Sequence, residues 1–341
     1  MSNPVLSQEL LDYILDFLCG DLPTLRTCSL TSRCLLDASY HHLFETVTVS
    51  GDNKLHRMLE LNRNGSSVTA RIRNLEIKPI QSSILLPFSL DNLQEIINVC
   101  PSLQNLRLIS LKIVYSESHT PPVQEIVPGR QLHYAYMFNC NFAENVHITF
   151  PGLLQILRTA SLSVYGGMCP IFTPVEEVHQ CLPDQCPLTD IILDHVSPQL
   201  LRTLNAVIPR NTIVELNLVP KDDFDNDSDL RLISSLGAVI AKHSSSLRSP
   251  GISPYDWHGL RSATEQTPWS LLNITSASKL SYFYVQIGRN PSLASDETAW
   301  EVYLSLIALL PDSIERISIT IMPFFSNRTV TSPLPSPTGA I

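Results

Sequence analysis

Cys169, His179, Cys181, Cys186 and His195 carry side chains that hold zinc, and they fall close together in the chain. Their spacing matches no zinc-binding pattern, and the prolines among them place the stretch in a loop. None of the eight cysteines forms a CxxC pair, and most lie inside apolar runs such as Ile96 to Cys100. They read as reduced, buried small hydrophobes. Asp222, Asp223, Asp225, Asp227 and Asp229 have the chemistry for calcium. A calcium loop started at Asp223 needs Gly and Glu where Ser228 and Ser234 stand. The run is expected to be a solvated loop, with Asp227 or Ser228 capping a helix that begins near Asp229. No metal and no cofactor is expected.

Catalytic chemistry leaves no better trace. GxSxG, GxxxxGK[ST], HExxH and GxGxxG are all missing from the sequence. The chain has twelve glycines and one adjacent pair of them, Gly166-Gly167. His41, His42, His133 and His147 have no local context tying them to a nucleophile. A Ser-His-Asp or Cys-His set assembled by the fold would not be local in sequence. Without a motif, the chain is read as non-enzymatic.

The composition bounds what else it could be. Lys plus Arg number 23 and Asp plus Glu 32, a formal charge of −9 with no clustered basic stretch. Binding to phosphate backbones is therefore excluded. The most apolar short run, Tyr303 to Leu310, ends at Pro311, far short of the roughly 20 residues a membrane span needs. The first 20 residues carry no Lys or Arg, so no secretory signal is read and a cytoplasmic or nuclear location is expected. Fifty of the 341 residues are leucine, and only 16% are charged. This length exceeds one ordinary core and implies several domains or an array that grows by repetition.

The elements that position these residues begin with Pro4 to Glu45. Leu6, Leu10, Leu11, Ile14, Leu15, Phe17 and Leu18 recur at helical spacing after Ser7, and Gly20 is a natural stop. A second short helix is expected from Pro23 through Cys28 and a third from Ser32 to about His42. The apolar stripe on the first is too wide for two short helices to cover. Leaving a leucine or isoleucine in water forfeits about 1.5–3 kcal/mol. The module should bury part of that face against the domain that follows or against a partner.

The string Leu6-Ser7-Gln8-Glu9-Leu10 with Ile14 and Phe17-Leu18 resembles the opening of an F-box. Leu25-Arg26-Thr27-Cys28-Ser29-Leu30-Thr31-Ser32-Arg33 resembles its second half. His42-Leu43-Phe44 followed by Val47-Thr48-Val49 looks like the join often seen in fungal F-box proteins. Ser7 stands where the family has proline, and Leu35 where it commonly has tryptophan. The resemblance covers residues 4 to 49. It implies docking onto the Skp-type adaptor of a cullin-RING ubiquitin ligase, at Leu6, Leu10, Ile14, Leu18, Leu25 and Leu30. Such a module does no chemistry and works through apolar anchors set in a groove.

Beyond residue 44 the pattern apolar-x-x-apolar-x-apolar recurs, with first members at 44, 72, 103, 132, 159, 188, 213, 280 and 314 and a degenerate copy at Ser244/Leu247. The ten starts lie 25 to 36 residues apart, 30 on average. Helix-like stretches fall between them, at Leu90 to Val99, Leu153 to Leu157, Leu200 to Val207, Leu230 to Ile240 and Trp300 to Leu310. The matches beginning at Leu103 and Leu132 run on furthest, to Ile113 and Phe142. A strand-helix unit at this period is the signature of a leucine-rich-repeat solenoid. The expected fold is thus α/β: a three-helix F-box-like module over residues 1–45, then an irregular solenoid over 46–322 with parallel strands inside and helices outside. Residues 323–341, with Ser332 and Ser336 before prolines as candidate phosphorylation sites, are expected to be a disordered tail. A doubly wound α/β sheet would give the same alternation of elements.

Within each strand the residue between the last two apolar positions faces the concave side. Those positions with their same-face neighbours give Tyr134, Tyr136, Phe138, Tyr165, Tyr282 and Tyr284 as candidate target-binding anchors. A register shift of one residue would instead turn the rings into the core. The expected function is substrate recognition for an SCF-type ubiquitin ligase, with an unknown protein target. The alternative is a repeat scaffold whose N-terminal helices only cap the solenoid.

Overall fold

The computed structural model describes residues 7–63, 68–81, 84–114, 131–142, 146–166, 187–220, 226–252, 268–289 and 304–323. Its first helix, α1 (Gln8–Phe17), starts where Ser7 Oγ accepts the Leu10 N–H at 3.4 Å. α2 (Leu22–Thr31) is capped by Asp21, which accepts from the Thr24 N–H at 3.1 Å, with Pro23 in the first turn. α3 (Arg33–Glu45) is capped by Ser32, which accepts from the Cys34 N–H. α2 and α3 each run about one turn past the expected ends, because no breaker residue stands there. α1 and α2 both pack on α3, around the buried Leu15, Leu25 and Ser39. Cys19, in the turn after α1, and Cys34 on α3 are exposed and Cys28 on α2 is half-buried, which corrects the expectation of buried thiols; Cys100 and Cys140 are buried.

Thirteen strands follow among the described residues. They are β1 (Thr46–Ser50), β2 (Asn74–Lys78), β3 (Leu86–Ser89), β4 (Asn105–Ile109), β5 (Leu111–Val114), β6 (Leu132–Phe138), β7 (Asn141–Phe142), β8 (Thr159–Tyr165), β9 (Asp190–Val196), β10 (Glu215–Pro220), β11 (Ser249–Ile252), β12 (Tyr282–Arg289) and β13 (Arg316–Pro323). Ten of them form one parallel sheet in the order β1-β2-β4-β6-β8-β9-β10-β11-β12-β13. That order never departs from chain order, so the sheet has no point of reversal such as a doubly wound sheet requires. The long matches from Leu103 and Leu132 end in β5 and β7, which join β3 in a second parallel sheet.

The helices α4 (Asp52–Arg63), α5 (Leu90–Val99), α6 (Val146–Leu157), α7 (Pro198–Val207) and α8 (Asn226–Lys242) pack each on the next in chain order. One continuous core lies between them and the sheet, built from pairs such as Leu75/Ile77, Leu106/Leu108, Leu162/Val164, Ile191/Leu193 and Leu216/Leu218. Two expectations change here. α8 starts at Asn226, so Asp227 and Ser228 lie in its first turn rather than ahead of it. The degenerate copy is Leu247/Pro250/Ile252, since Pro250 pairs in register with Leu216 and Ile252 with Leu218. Its first member is Leu247, fully buried, which makes the flanking intervals 34 and 33 residues instead of 31 and 36. A proline at a core position hid that copy.

The strand ends repeat as closely as the core does. Gly51, Ser110, Asn139 and Gly166, each one residue past a strand of the large sheet, have left-handed backbones with φ of 80°, 51°, 50° and 60°. The N–H groups of the first three donate to the carbonyls of Lys78, Phe138 and Tyr165, the last residue of the neighbouring strand. At the other end, the carbonyls of Arg73, Gln104, Thr189, Val214, Arg248 and Ser281 each accept two N–H groups from the following unit. Backbone groups that would be orphaned at the strand ends are thereby satisfied in the same way along the array.

Candidate functional site

α1 carries apolar residues on two sides. Leu15 is buried, with Leu11 and Leu18 half-buried beside it on the side that packs on α3. Leu10, Ile14 and Phe17 point outward at 45%, 44% and 73% exposure, and Tyr13 is exposed with them. The positions 10, 13, 14 and 17 make one helical stripe. Tyr13 and Phe17 meet edge to face, with ring centroids 4.9 Å apart. Leu22 and Leu30 are exposed on α2, Leu30 at 87%. Of the six sequence-derived anchors, Leu10, Ile14 and Leu30 are open and Leu18 is partly so. Leu6 lies outside the described residues. Leu25 is fully buried in the module and is corrected to a core residue, because its side of α2 faces α3. Tyr13, Phe17 and Leu22 join the exposed set; the first two were legible from the same helical spacing.

The module is fixed to the sheet without a linker, since α3 ends at Glu45 and β1 starts at Thr46. The Arg71 guanidinium donates to the Asp37 carboxylate at 3.0 Å and to its carbonyl at 2.6 Å. Arg73 lies 3.6 Å from the Glu45 carboxylate. Within the module, His42 Nε2 lies 3.0 Å from Asp16 Oδ1, joining α3 to α1.

The second surface is the sheet face opposite the helices. Along β6, Leu132, Ala135 and Met137 are buried while Tyr134, Tyr136 and Phe138 are half-exposed or exposed. The rings therefore stand on the open face, and the inward register is not adopted. Tyr136 pairs with Ser163 and Phe138 with Tyr165 across β6–β8. The Tyr136 ring centroid lies 6.2 Å from that of Tyr134 and 5.6 Å from that of Tyr165. The Arg107 guanidinium covers the Tyr136 ring at 5.1 Å and reaches Glu76 at 3.2 Å, whose other oxygen is held by Lys78 at 2.8 Å. Burial raises the Tyr165 hydroxyl pKa, and Tyr134, Tyr136 and Asp194 raise it further.

Tyr282 and Tyr284 are on the same face but not in the same group. Four strand spacings separate β8 from β12, about 19 Å. Between them run Asp190, Ile192 and Asp194 on β9, Glu215 and Asn217 on β10, and Ser249 and Gly251 on β11. A methyl group added at Gly251 would stand 1.8 Å from Asn217 Oδ1 and 3.3 Å from the Tyr284 ring, so Asn217 and Tyr284 close over β11 there.

The cysteine and histidine set from Cys169 to Cys186, and Asp222, Asp223 and Asp225, lie outside the described residues, as do the side chains of His195, Asp227 and Asp229. Among the described residues, no three His, Cys, Asp or Glu side chains stand together as around a metal ion, and no helix is long and apolar enough to cross a membrane. Burial pushes the Cys140 thiol up to about 11, which keeps it protonated and donating to the Leu108 carbonyl. Compared with known proteins, the chain matches no family model, and no curated protein is similar to it at a significant level.

Proposed function

We propose that this chain is the substrate-recognition subunit of an SCF-type ubiquitin ligase. Its three N-terminal helices are an F-box-like module that docks the Skp-type adaptor and through it the cullin. The sheet and helices behind them are an irregular leucine-rich-repeat solenoid that holds the protein to be modified. The chain works in the cytoplasm or nucleus, needs no cofactor and catalyses nothing itself.

The observation that carries this reading is the second apolar side of α1. Leu11, Leu15 and Leu18 already anchor the helix on α3, yet Leu10, Tyr13, Ile14 and Phe17 stay in water on the other side. A capping role alone needs only the first set. An exposed apolar helix face suits a groove in a partner, where each fully buried aliphatic or aromatic side chain contributes roughly 1.5–3 kcal/mol. Strict chain order of the strands and the regular carbonyl acceptors at their starts support the solenoid.

The alternative, a scaffold with a capping head, draws on a different observation. The Arg71–Asp37 and Arg73–Glu45 pairs seat α3 over the start of the array. Affinity purification separates the two readings. The intact chain should co-purify with adaptor and cullin. Leu10→Asp/Ile14→Asp should lose that binding by two orders of magnitude or more while melting like the parent, because both side chains are already exposed. Undiminished binding by the double variant would sink the docking assignment, and absence of any adaptor on the intact chain would leave the scaffold.

A further inference from the structure

On the helical side of the array, one pair of elements carries a charge opposite to that of the chain. The net charge is −9, yet residues 197–214 and 230–252, which hold α7 and most of α8, contain Arg202, Arg210, Arg231, Lys242 and Arg248 and neither aspartate nor glutamate. The two helices pack against each other. Lys242, in the last turn of α8, donates to the Asn205 carbonyl of α7 and ties the pair together at that end.

Between α7 and α8 runs a groove of about 360 Å³, lined by Arg202 from α7 and by Leu230, Arg231, Ser234, Ser235 and Ala238 from α8. Helical spacing puts 231, 234, 235 and 238 on one stripe, with Leu230 one turn before Ser234. From Leu230 to Ala238 the helix rises about 12 Å. Arg202, Arg231 and Ser234 are exposed along the rim, while Ser235, at 7% exposure, forms the floor. Leu230, itself exposed, gives one end an apolar wall.

These side chains suit one kind of ligand. Each guanidinium is a planar fork of N–H donors that matches two oxygens of a tetrahedral anion, and the serine hydroxyls can donate to the others. A phosphomonoester carries about −1.5 to −2 near pH 7, which balances two guanidiniums, whereas a carboxylate balances one. The volume lies at the lower end of the roughly 300–1,000 Å³ of small-molecule sites, enough for a phosphate and a small organic body.

We propose that the groove between α7 and α8 binds an organic phosphomonoester. Arg202 and Arg231 hold its phosphate, the Ser234 and Ser235 hydroxyls donate to the remaining oxygens, and its organic part lies against Leu230. The site is on the helical side, away from the tyrosines and the α1 stripe, and goes beyond the ligase reading without depending on it.

The test titrates the full chain by calorimetry, at fixed ionic strength and about pH 7, with phenyl phosphate, inorganic phosphate and benzoate. Phenyl phosphate should bind, inorganic phosphate should bind more weakly, and benzoate should not bind. Arg202→Gln/Arg231→Gln should weaken phenyl phosphate roughly tenfold or more. Arg202→Lys/Arg231→Lys should lose less, because the charge is kept and only the fork is lost. Lys54→Gln/Arg57→Gln makes the same charge change at exposed positions of α4 and should bind like the parent. Both arginines of the groove are exposed, so these variants should melt with the parent. Benzoate or inorganic phosphate bound as tightly as phenyl phosphate would overturn the proposal, and so would equal losses in the α7–α8 and α4 glutamine variants. A short phosphoserine peptide in alanine, bound more tightly than phenyl phosphate and weakened by Arg202→Gln/Arg231→Gln, would support the site with the phosphate on a partner protein; weaker binding of that peptide would support a small soluble ligand. Leu10→Asp/Ile14→Asp should bind phenyl phosphate like the parent, so failure here and failure of adaptor docking are read separately.

Discussion

His243 does at residue scale what a backbone segment usually does. It is buried at the end of α8, where its Nδ1 accepts the N–H groups of Thr212 at 3.2 Å and Ile213 at 3.3 Å. Burial, and then the Lys242 ammonium beside it, lowers its pKa to about 4. The unfolded chain binds this proton near pH 6.5 and the folded chain only near 4, so stability rises with pH between them. The contribution is full above pH 6.5 and is lost as the pH falls toward 4. Urea unfolding at pH 7 and pH 4.5 should show a loss on the order of 2 kcal/mol, allowing for solvent screening, that His243→Asn does not show. Gly237 is a second residue with one duty. A Cβ there would stand 1.8 Å from the Leu271 carbonyl oxygen, in the 3-10 turn Pro268–Leu272 that packs on α8. Gly237→Ala should therefore destabilise by about 2 kcal/mol or more despite alanine's better helix propensity, measured by the urea midpoint.

At the scale of elements, the two ends of the sheet are treated differently. β1 is met by α3, the element directly before it. β13 has no strand beyond it among the described residues, and Ile317 and Ile319, in register with the buried Phe283 and Val285, are 41% and 46% exposed. An edge strand with apolar side chains is a template for unwanted pairing. Ile317→Lys/Ile319→Lys should reduce self-association in sedimentation without a large drop in melting temperature, since nearly half of each side chain is already in water. A drop in stability comparable to a core substitution would show that they are covered. α1 is the other element with an apolar side to spare, and there the charge substitution is expected to remove binding rather than aggregation.

Over the whole molecule, the helical head with its exposed α1 stripe and the open sheet face with its tyrosines are separate surfaces on one frame. The Arg71–Asp37 and Arg73–Glu45 pairs tie the helical head to the start of the array. A surface substitution on one should therefore leave the other surface intact. Much of this organisation was legible in the sequence. The helix starts at Ser7 and Ser32, the strand cores from Leu75 to Ile319 and the α5 boundaries all follow from local spacing, while α2 begins at Leu22, one residue ahead of the expected Pro23. The copy at Leu247 was misplaced by three residues because Pro250 occupies a position where a leucine would mark the strand. Of the candidate docking residues, Leu25 proves to be core, because helical spacing marks an apolar side without saying whether the chain itself covers it.

The sequence by itself determined the α/β class and the rhythm of the units, because burial of a leucine is decided within one strand or one helix turn. Only the tertiary structure decided which side chains meet. Tyr136 and Tyr165 are 29 positions apart and become neighbours because their strands pair, while Tyr282 and Tyr284 stay four strands away. Asp190 and Glu215 face each other for the same reason, through a register set by the whole unit between them. The spacing of apolar residues records burial along one dimension. The lateral order of the strands exists only once the chain has closed its loops and packed its helices side by side.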